Sequence, residues 1–445
     1  MSYWKIAWRN MQQRALASTL TGLSMALGVA LMVLVLVIHE VVVGQLSNDA
    51  QGYQFIIGSG QGSKFEIVLS TVFHIGTPLY PMSYDVYKKF VEGGEYAPYI
   101  DLAVPVCLGD SYGNEEGPRF RVVATTPDMF DKLSYAAADD GTELHYTFSS
   151  GRNFKQDEFF TAVIGSVAAN RTGLKVGDHF RPTHGLGKAG DKHDEFEVVG
   201  VLAPTGTAND RALFINMEGF YLLEGHSLAA KTPAGQEQPA TEQAKKVTHS
   251  PGDKPTPLPE AQREVTSILL RCEPLYAASI ERGVNKGADR TIQAVAPVYV
   301  VDRLQASFLD PMRLILLVLT ILIVVVAGIS ILVSIYNSMS ERSHDIAVMR
   351  ALGASRTAVM VIIVVESILL SVLGGLAGLA LGHGALAAAS PIVEFYTGIR
   401  VPAWQFTWQE SLLVPALVAF AALVGFLPAL TAYRTDVART LGGAR

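Results

Sequence analysis

The stretch LILLVLTILIVVVAGISILVSIYNSMS, residues 314–340, contains no charged side chain and decides the fold class. Arg313 precedes it and Glu341 follows it, so the uncharged run is 27 residues long. A helix of about 20 predominantly apolar residues crosses the roughly 30 Å hydrocarbon core of a bilayer. The run is therefore long enough to span a membrane and too long for an ordinary helix in the core of a globular domain.

Three further stretches have the same character. Residues 15–38 and 411–433 contain no charge, and residues 359–386 are interrupted only by Glu366 and His383. Backbone polar groups in lipid must be satisfied within a helix or a closed barrel, and these runs lack the alternation of barrel strands. We therefore predict four transmembrane helices. The composition agrees, since 49% of the 445 residues are hydrophobic and 17% are charged.

The basic residues predict the orientation of these helices. Three precede the first run, three lie between the second and third runs, and three follow the fourth, whereas the loop between the third and fourth contains Arg400 alone. The positive-inside rule then predicts that both termini and the loop at 341–356 are cytoplasmic. A cleaved signal peptide is the alternative for the first run, but the run exceeds the ~7–15 apolar residues of a signal core. We interpret it as an anchor.

The predicted fold is an integral membrane α-helical protein with a large mixed α/β extracytoplasmic domain between the first and second helices. Apolar runs such as FRVVATT (120–126) and FEVVGVLA (196–203) predict strands of that domain. In chain order we predict a cytoplasmic segment at 1–14, transmembrane helix 1 and the start of a stalk at 15–43, the extracytoplasmic domain at 44–310, transmembrane helix 2 at 311–340, a cytoplasmic loop at 341–356, transmembrane helix 3 at 357–387, a short extracytoplasmic loop at 388–410, transmembrane helix 4 at 411–433 and a cytoplasmic tail at 434–445.

Two features of this domain concern order and redox state. Residues 227–262 are rich in Pro, Gln, Thr and Lys and poor in large apolar side chains, so we predict a flexible insertion. Cys107 and Cys272 lie in apolar, strand-like runs. Buried free thiols are the simpler interpretation. A disulfide stays open, because it is chemically permitted outside the cytoplasm and the sequence does not give the distance between the two α-carbons.

Catalytic motifs are not recognisable in the sequence. The string HGLGKAG at 184–190 resembles part of a phosphate-binding loop, but proline and alanine occupy the positions of its first glycine and its hydroxyl residue. His184, His193 and Asp194 are candidate metal ligands, yet their spacing matches no closed zinc pattern and a solvated loop would look the same. We therefore expect no enzymatic activity in this chain. A solvated loop is the simpler interpretation of these three residues, and a metal site stays open.

Small and acidic residues mark the third predicted helix. Gly374, Gly378 and Gly382 recur every four residues, which predicts a groove of small residues where a neighbouring helix approaches closely. Glu366 lies about two turns into the same helix, where a charge is costly and generally faces a partner or a cavity. We interpret it as paired with a helix end or a basic side chain, and a proton or ion site is the alternative.

The loop after the second span predicts a short amphipathic helix at 341–352. Ser338 and Glu341 have the spacing of a capping box, and Gly353 tolerates the left-handed conformation at a helix end. A helix lying on lipid headgroups would carry a Lys/Arg-rich face, but the charges here are mixed in sign, which favours docking into a protein groove. The apolar side consists of Ile346, Met349 and Leu352, and the acidic side of Glu341 and Asp345.

This block, ERSHDIAVMRALGAS at 341–355, and the span that follows it resemble the coupling helix and third helix of MacB/FtsX-like permeases, the membrane subunits of type VII ABC transporters. The family pattern is E-R-x-x-E-I-x-x-x-R-A-x-G-A, then a glutamate within the span, then spaced glycines. Asp345 stands where glutamate is commoner, which is a mild departure. The stretch from GRNFKQDEFF through FEVVGVLAPTGT is similar to the family's periplasmic domain, so the resemblance covers nearly the whole chain. The pattern falls on Glu341, Arg342, Asp345, Ile346, Arg350, Ala351, Gly353 and Ala354, then on Glu366, Gly374 and Gly378.

The resemblance implies a mechanotransmission permease in a bacterial inner membrane, with its large domain periplasmic or extracellular. It implies a homodimer, or a dimer of close homologues, bound to two copies of a separate cytoplasmic ABC ATPase that binds ATP and Mg, with no cofactor in this chain. Its cargo would be a lipoprotein, a peptide or a small hydrophobic molecule, and its other partners membrane lipid and a periplasmic adaptor or lipoprotein, but no nucleic acid. The ATPase-coupling residues would be Glu341, Arg342, Asp345, Ile346, Met349, Arg350, Leu352 and Gly353.

Three alternatives stay open. An FtsX-like regulator would share the architecture and activate an extracytoplasmic partner such as a cell-wall hydrolase. An ion-coupled transporter would need more polar residues within the membrane and, in general, repeated halves. A membrane receptor would share the topology but would carry a cytoplasmic signalling module.

Overall fold

The structure of the chain is a computed structural model that describes residues 3–76, 80–113, 118–138, 140–185, 191–226, 249–287, 289–341, 348–350, 353–397, 401–404 and 406–434. The chain divides into two compact units. The helical unit comprises Met1–Val42, Ala306–Val393 and Arg400–Arg445, and the α/β unit comprises Val43–Gln305 and Glu394–Ile399.

The described helices include several that are far longer than those of an ordinary globular domain. In chain order they are α1 (Tyr3–Gln13), α2 (Ala15–Asp49), α3 (Lys64–Thr71), α4 (Tyr84–Lys88), α5 (Asp128–Asp131), α6 (Ser166–Thr172), α7 (Met217–Phe220), α8 (Pro274–Lys286), α9 (Pro297–Leu304), α10 (Asp310–Glu341), α11 (Arg356–Thr397) and α12 (Trp408–Arg434). A π-helical turn, Gln305–Leu309, joins α9 to α10.

Four of these segments could cross a membrane. Within the described residues, the segments long and apolar enough are Ala15–Asp49, Pro297–Asn337, Arg356–Phe395 and Trp408–Leu430. The predicted number of membrane helices is therefore confirmed on length and composition. Many of their large apolar side chains remain exposed, among them Leu16, Leu319 and Leu423, as expected for surfaces that face lipid.

A small apolar core holds the helical unit together. Met25 and Val29 of α2 pack with Ala327 and Ile331 of α10 and with residues of α11 and α12. Close contact between α10 and α12 depends on Gly328, because a Cβ there would lie 2.4 Å from the Phe420 ring. Association of helices in lipid relies on such packing, since lipid tails are as apolar as leucine.

The α/β unit is built on one large mixed sheet. Its described strands are β1 (Phe55–Ser59), β2 (Met82–Ser83), β3 (Ile100–Tyr112), β4 (Phe120–Thr125), β5 (Ser134–Ala137), β6 (Glu143–His145), β7 (Phe148–Gly151), β8 (Thr161–Ile164), β9 (His179–Phe180), β10 (Thr183–His184), β11 (Phe196–Leu202), β12 (Ala212–Asn216), β13 (Glu264–Val265), β14 (Ser267–Cys272) and β15 (Ile292–Val295).

The order across the large sheet is β15-β1-β14-β3-β4-β12-β8-β11-β7, with β10 added to β3 and β9 added to β11. Most neighbours are antiparallel, but β4–β12 and β8–β11 are parallel. Central strands such as β4 and β8 are buried along their whole length, so apolar side chains pack into a core on each face of the sheet. This arrangement explains why these strands appear in the sequence as continuous apolar runs. The mixed α/β domain that the sequence predicted is confirmed.

Several local predictions can be compared with the structure. Helix α4 is short, since only Tyr84–Lys88 of the stretch SYDVYKKFVE at 83–92 is helical. Both cysteines are buried free thiols, and Cys107 Sγ donates to Glu264 O at 3.1 Å. In the predicted insertion at 227–262, residues 227–248 lie outside the described residues. The remainder makes defined contacts, because the His249 ring stacks on Phe160 and Leu258 packs against the core.

Candidate functional site

The predicted coupling segment follows α10 and is described only in part. Residues 342–347 and 351–352, which include Arg342, Asp345, Ile346 and Leu352, lie outside the described residues. Residues 348–350 are helical, and Met349 and Arg350 are partly exposed there. Glu341 is the last residue of α10. Because Ser338 lies inside α10, the structure does not support a capping box starting at Ser338.

The end of this segment has a defined geometry. Gly353 has a φ of +103°, which is the left-handed region that glycine adopts without strain. Ala354 N donates to Met349 O at 3.0 Å, and Gly353 N donates to Arg350 O at 3.1 Å. These are the two hydrogen bonds of a Schellman motif, which ends a helix. Ser355 Oγ then accepts from Ala358 N at 3.1 Å and caps the start of α11, so a short turn separates the segment from α11.

The spaced glycines of α11 lie directly against α2. A Cβ at any of the three would come closer to α2 than side-chain carbons ordinarily approach, so only hydrogen fits there. The α2 helix therefore approaches α11 along a stripe of small residues. A Cβ built on Gly374 would lie 2.9 Å from Met25 Cβ, one on Gly378 would lie 2.6 Å from Ala26 O, and one on Gly382 would lie 2.9 Å from Val33 Cβ.

Two acidic residues are buried in the described part of the helical unit. Glu366 in α11 is 8% exposed. Glu410 in α12 is 4% exposed and pairs with His383 of α11, with Glu410 Oε2 at 2.8 Å from His383 Nε2. His383 Nδ1 also lies 2.7 Å from Ala403 O. The sequence identified His383 as an interruption of the third span, but it gave no sign of Glu410 as its partner.

A cluster of histidines lies in the α/β unit. His184 and His193, two of the candidate metal ligands from the sequence, lie next to each other and to His226 and Asp110. Each of the four residues offers one ligand atom, and these four atoms all lie within 4.8 Å of one another. The third candidate, Asp194, is outside this group and instead accepts a hydrogen bond from His249 N at 3.1 Å.

Asp110 is the centre of this histidine cluster. Its Oδ1 lies 3.2 Å from His226 Nε2 and 3.5 Å from His184 Nδ1, and its Oδ2 lies 3.5 Å from His193 Nε2. The nitrogens His193 Nε2 and His226 Nε2 are 3.3 Å apart. The side chain of Asp110 is 0% exposed, that of His193 is 5% exposed and that of His226 is 7% exposed, whereas that of His184 is 52% exposed.

The cluster is formed by pairing between distant parts of the chain. His184, in β10, lies opposite Asp110 near the end of β3. The backbone of His193 returns to this hairpin, since His193 N donates to Pro182 O at 2.9 Å. His226 follows α7, and its ring packs on Phe220 with centroids 4.2 Å apart. The four residues share no local motif, so the sequence grouped only His184 with His193 and carried no signal that joins Asp110 and His226 to them.

The electrostatics of the cluster favour an ionised Asp110. Burial alone would raise the pKa of Asp110, but its interactions with His193 and His226 outweigh burial and hold the pKa at about 2. Burial lowers the pKa of His226, although Asp110 opposes this shift. Arg121, which is also buried, has a pKa lowered by burial and raised in part by the charge of Asp110.

Comparison with known proteins identifies the family. Residues 18–246 match the MacB-like periplasmic core domain, which is more than half of the chain, and residues 317–437 match the FtsX-like permease C-terminal region. The chain belongs to the family of MacB/FtsX-type ABC transporter permeases. The resemblance found in the coupling block and the periplasmic segments is thereby confirmed.

Individual relatives of this permease cover very different shares of it. It is 25% identical to an uncharacterized ABC transporter permease of Methanocaldococcus jannaschii over 98% of the chain and 96% of that protein. It is 32% identical to the uncharacterized ABC transporter permease YknZ of Bacillus subtilis over 27% of the chain and 30% of that protein. It is 28% identical to the macrolide export ATP-binding/permease protein MacB of Photorhabdus laumondii over 28% of the chain and 18% of that protein.

A solved structure of the extracellular domain of a YknZ transporter from Gram-positive bacteria aligns with 54% of this permease and 99% of that domain. The sequence identity is 13% and the TM-score is 0.28, a likeness too slight to support an argument about the fold.

Proposed function

We propose that this permease transmits the ATP-driven motion of a separate cytoplasmic ATPase to its α/β unit. Membership of the MacB/FtsX family is the observation that carries the proposal. Two continuous helical connections support it, because α2 begins in the helical unit and ends in the α/β unit, and the segment Pro297–Asn337 passes from the α/β unit into the helical unit. These connections would serve as stalks.

The coupling segment would receive this motion. In the proposal, the helix that ends at the Schellman motif docks into a groove of the ATPase with Met349 in the contact. The partial exposure of Met349 is compatible with such a contact. Ile346, Leu352 and the charged residues Glu341, Arg342 and Asp345 would complete it, with Gly353 ending the helix. The short turn before α11 would pass a displacement of the segment on to the helical unit.

The assembly in this proposal is a homodimer, or a dimer with a close homologue, bound to two ATPase subunits in a bacterial inner membrane. ATP and Mg would be bound by the ATPase, and this chain would be a non-enzymatic subunit. The cargo would be a lipoprotein, a peptide or a small hydrophobic molecule, and the macrolide export role in the name of MacB favours the last class. A periplasmic adaptor or lipoprotein is a further candidate partner. The FtsX-like regulator remains the second candidate function, since residues 317–437 match the FtsX-like region.

Substitution at the coupling segment tests the proposal. Met349→Glu would place a charge in a desolvated contact and weaken ATPase binding by about 2 kcal/mol, which is roughly thirtyfold. Thr357→Ser, an exposed position in the first turn of α11, is the matched control and should bind normally. The measurement is co-purification of the ATPase with each variant from membranes. Normal recovery of the ATPase with Met349→Glu would contradict the docking of this segment.

The proposed orientation places residues 341–356 and both termini in the cytoplasm, and it rests on the distribution of Arg and Lys. Cysteines placed at the exposed Lys175 and at Arg350 should then react from opposite sides of the membrane, with the two buried native cysteines replaced by serine. An impermeant thiol reagent added to intact cells should label only Lys175→Cys. Labelling of both positions would show that the orientation is wrong.

A further inference from the structure

We propose that Asp110, His184, His193 and His226 form a binding site for a divalent transition metal ion of the zinc class. The proposal concerns the α/β unit alone and does not depend on the function proposed above. It rests on the geometry of the four side chains, on the burial of Asp110 and on the chemistry of the donor set.

The geometry of the cluster is close to that of a tetrahedral site. With metal–ligand distances of about 2.0–2.1 Å, tetrahedral ligand atoms lie roughly 3.3 Å from one another. Two contacts of Asp110 Oδ1, to His226 Nε2 at 3.2 Å and to His184 Nδ1 at 3.5 Å, are close to this value. The other carboxylate oxygen, Oδ2, lies 3.5 Å from His193 Nε2, and His193 Nε2 lies 3.3 Å from His226 Nε2. The three imidazole rings lie around a common point, with centroids 5.0–5.5 Å apart. Small side-chain rotations would bring all four atoms to a shared ion.

The burial of Asp110 indicates a charge that the protein does not neutralise by hydrogen bonding. Neither carboxylate oxygen has a hydrogen-bond partner among the described residues, although Asp110 is fully buried. Burying an unpaired carboxylate is costly, and buried carboxylates are ordinarily paired or bound to a metal. The nearby imidazoles approach at 3.2–3.5 Å without hydrogen-bond geometry. A cation between the four groups would be coordinated by both the carboxylate and the imidazoles.

The alternative is a purely structural network in which protonated histidines neutralise Asp110. That network would place as many as three positive imidazoles around one negative charge, and like charges this close repel each other. A metal ion bound by neutral imidazoles avoids this conflict, because it needs the histidines deprotonated.

The donor set selects the class of metal. Imidazole suits zinc, copper, nickel and iron, whereas calcium and magnesium prefer sites made entirely of oxygen. Three nitrogens and one carboxylate oxygen in a roughly tetrahedral arrangement match zinc, and copper and nickel are the expected competitors from their general affinity order. Because His184 is half-exposed while the other three residues are buried, an ion would reach the site from solvent past His184.

Such an ion would join parts of the chain that are distant in sequence. It would tie the end of β3 to β10, to the return of the chain at His193 and to His226, the last described residue before position 249. Gly109 lies beside His226, and a Cβ there would be 3.3 Å from His226 Cε1. We therefore expect metal binding to stabilise this end of the large sheet and to fix the position of His226.

Zinc binding by the purified full-length permease tests the proposal. After removal of metal with EDTA, titration with zinc chloride in detergent should show one ion per chain and should raise the Tm of the α/β unit. His184→Gln, His193→Gln, His226→Gln and Asp110→Asn should each lower zinc affinity by at least about tenfold. X-ray absorption at the zinc edge should show several imidazole ligands. Copper and nickel should compete, and magnesium and calcium should not.

His179→Gln provides the matched control. His179 lies in the same domain, is exposed, and contacts Glu195 at 3.6 Å instead of the cluster, so its variant should bind zinc as wild type does. If the buried variants fail to fold, the half-exposed His184 variant and the absorption spectrum of the wild type still decide the question. The proposal is overturned if the wild type does not bind zinc stoichiometrically, if His184→Gln and His179→Gln bind equally well, or if the spectrum lacks imidazole ligands.

Discussion

The helical unit and the α/β unit each bury a carboxylate against histidine, but they satisfy it in different ways. In the helical unit, Glu410 Oε2 contacts His383 Nε2 at 2.8 Å, and Glu410 Oε1 accepts hydrogen bonds from Thr407 N at 3.2 Å and from Thr407 Oγ1 at 3.0 Å. In the α/β unit, Asp110 faces three imidazoles and accepts no hydrogen bond from a described residue. A carboxylate and an imidazole thus form a closed pair in one unit, whereas in the other unit a carboxylate and three imidazoles form a set of converging ligand atoms.

The difference shows that burial and residue type do not by themselves identify a site. The Glu410 pair uses the hydrogen-bonding capacity of both carboxylate oxygens and of both imidazole nitrogens, so it is complete within the protein. The Asp110 cluster leaves the acceptor capacity of its carboxylate unused. Unused hydrogen-bond acceptor capacity at a fully buried carboxylate indicates a ligand, because native proteins rarely leave such groups without partners.

The largest effect in this comparison is expected from breaking the closed pair. Glu410→Ala leaves His383 buried without its partner and should destabilise the helical unit by about 3–5 kcal/mol. Glu410→Gln can still accept from Thr407 and donate to His383, so it should cost less than about 1.5 kcal/mol. Thermal unfolding followed by tryptophan fluorescence measures both, since Trp404 and Trp408 lie near the pair. Ser411→Ala, which removes only a local hydrogen bond to Trp408 O, is the control. If Glu410→Ala lowered the unfolding temperature no more than Ser411→Ala does, the stabilising role of the pair would be disproved.

A smaller loss is expected from the packing that surrounds this pair. Gly378→Leu would force a side chain into the contact with Ala26 of α2 and should destabilise the helical unit by about 1–3 kcal/mol. Gly384, in the same helix, has no atom within 4 Å of the position of a Cβ. Gly384→Leu should therefore be nearly neutral. Similar unfolding temperatures for the two variants would contradict the close approach of α2 and α11.

The smallest effect is expected at Asp110 in the absence of metal. In the absence of metal, neither carboxylate oxygen of Asp110 accepts a hydrogen bond from a described residue. Asp110→Asn in EDTA should then change the free energy of unfolding by less than about 1 kcal/mol, because no hydrogen bond is lost. Urea denaturation of the α/β unit, monitored by hydrogen exchange, provides the measurement. If Asp110→Asn lowered the free energy of unfolding as much as Glu410→Ala does, Asp110 would be part of a closed structural network, as Glu410 is.

The sequence predicted those features that depend on local composition. The four membrane helices follow from uncharged runs, and strands β4 and β11 follow from the predominantly apolar runs at 120–126 and 196–203. In both cases the composition of the segment itself determines whether it is buried in lipid or in a core. The histidine cluster was only half recognised, since His184 and His193 are close in sequence but Asp110 and His226 join them only through the pairing of β10 with β3. The Glu410–His383 pair was missed for the same reason, because nothing local to α11 specifies the register of α12.

The coupling claim is tested most directly by hydrogen exchange of the permease bound to its ATPase. In the wild type, trapping the complex with ATP should change hydrogen exchange in the two proposed stalks, at residues 43–49 and 297–309. The Met349→Glu variant is assembled with the ATPase at concentrations high enough to restore binding. Its stalks should show no ATP-dependent change in exchange, although their exchange without ATP should match that of the wild type. No change in the stalks of the wild type, or the same change in Met349→Glu, would contradict transmission of motion through this segment.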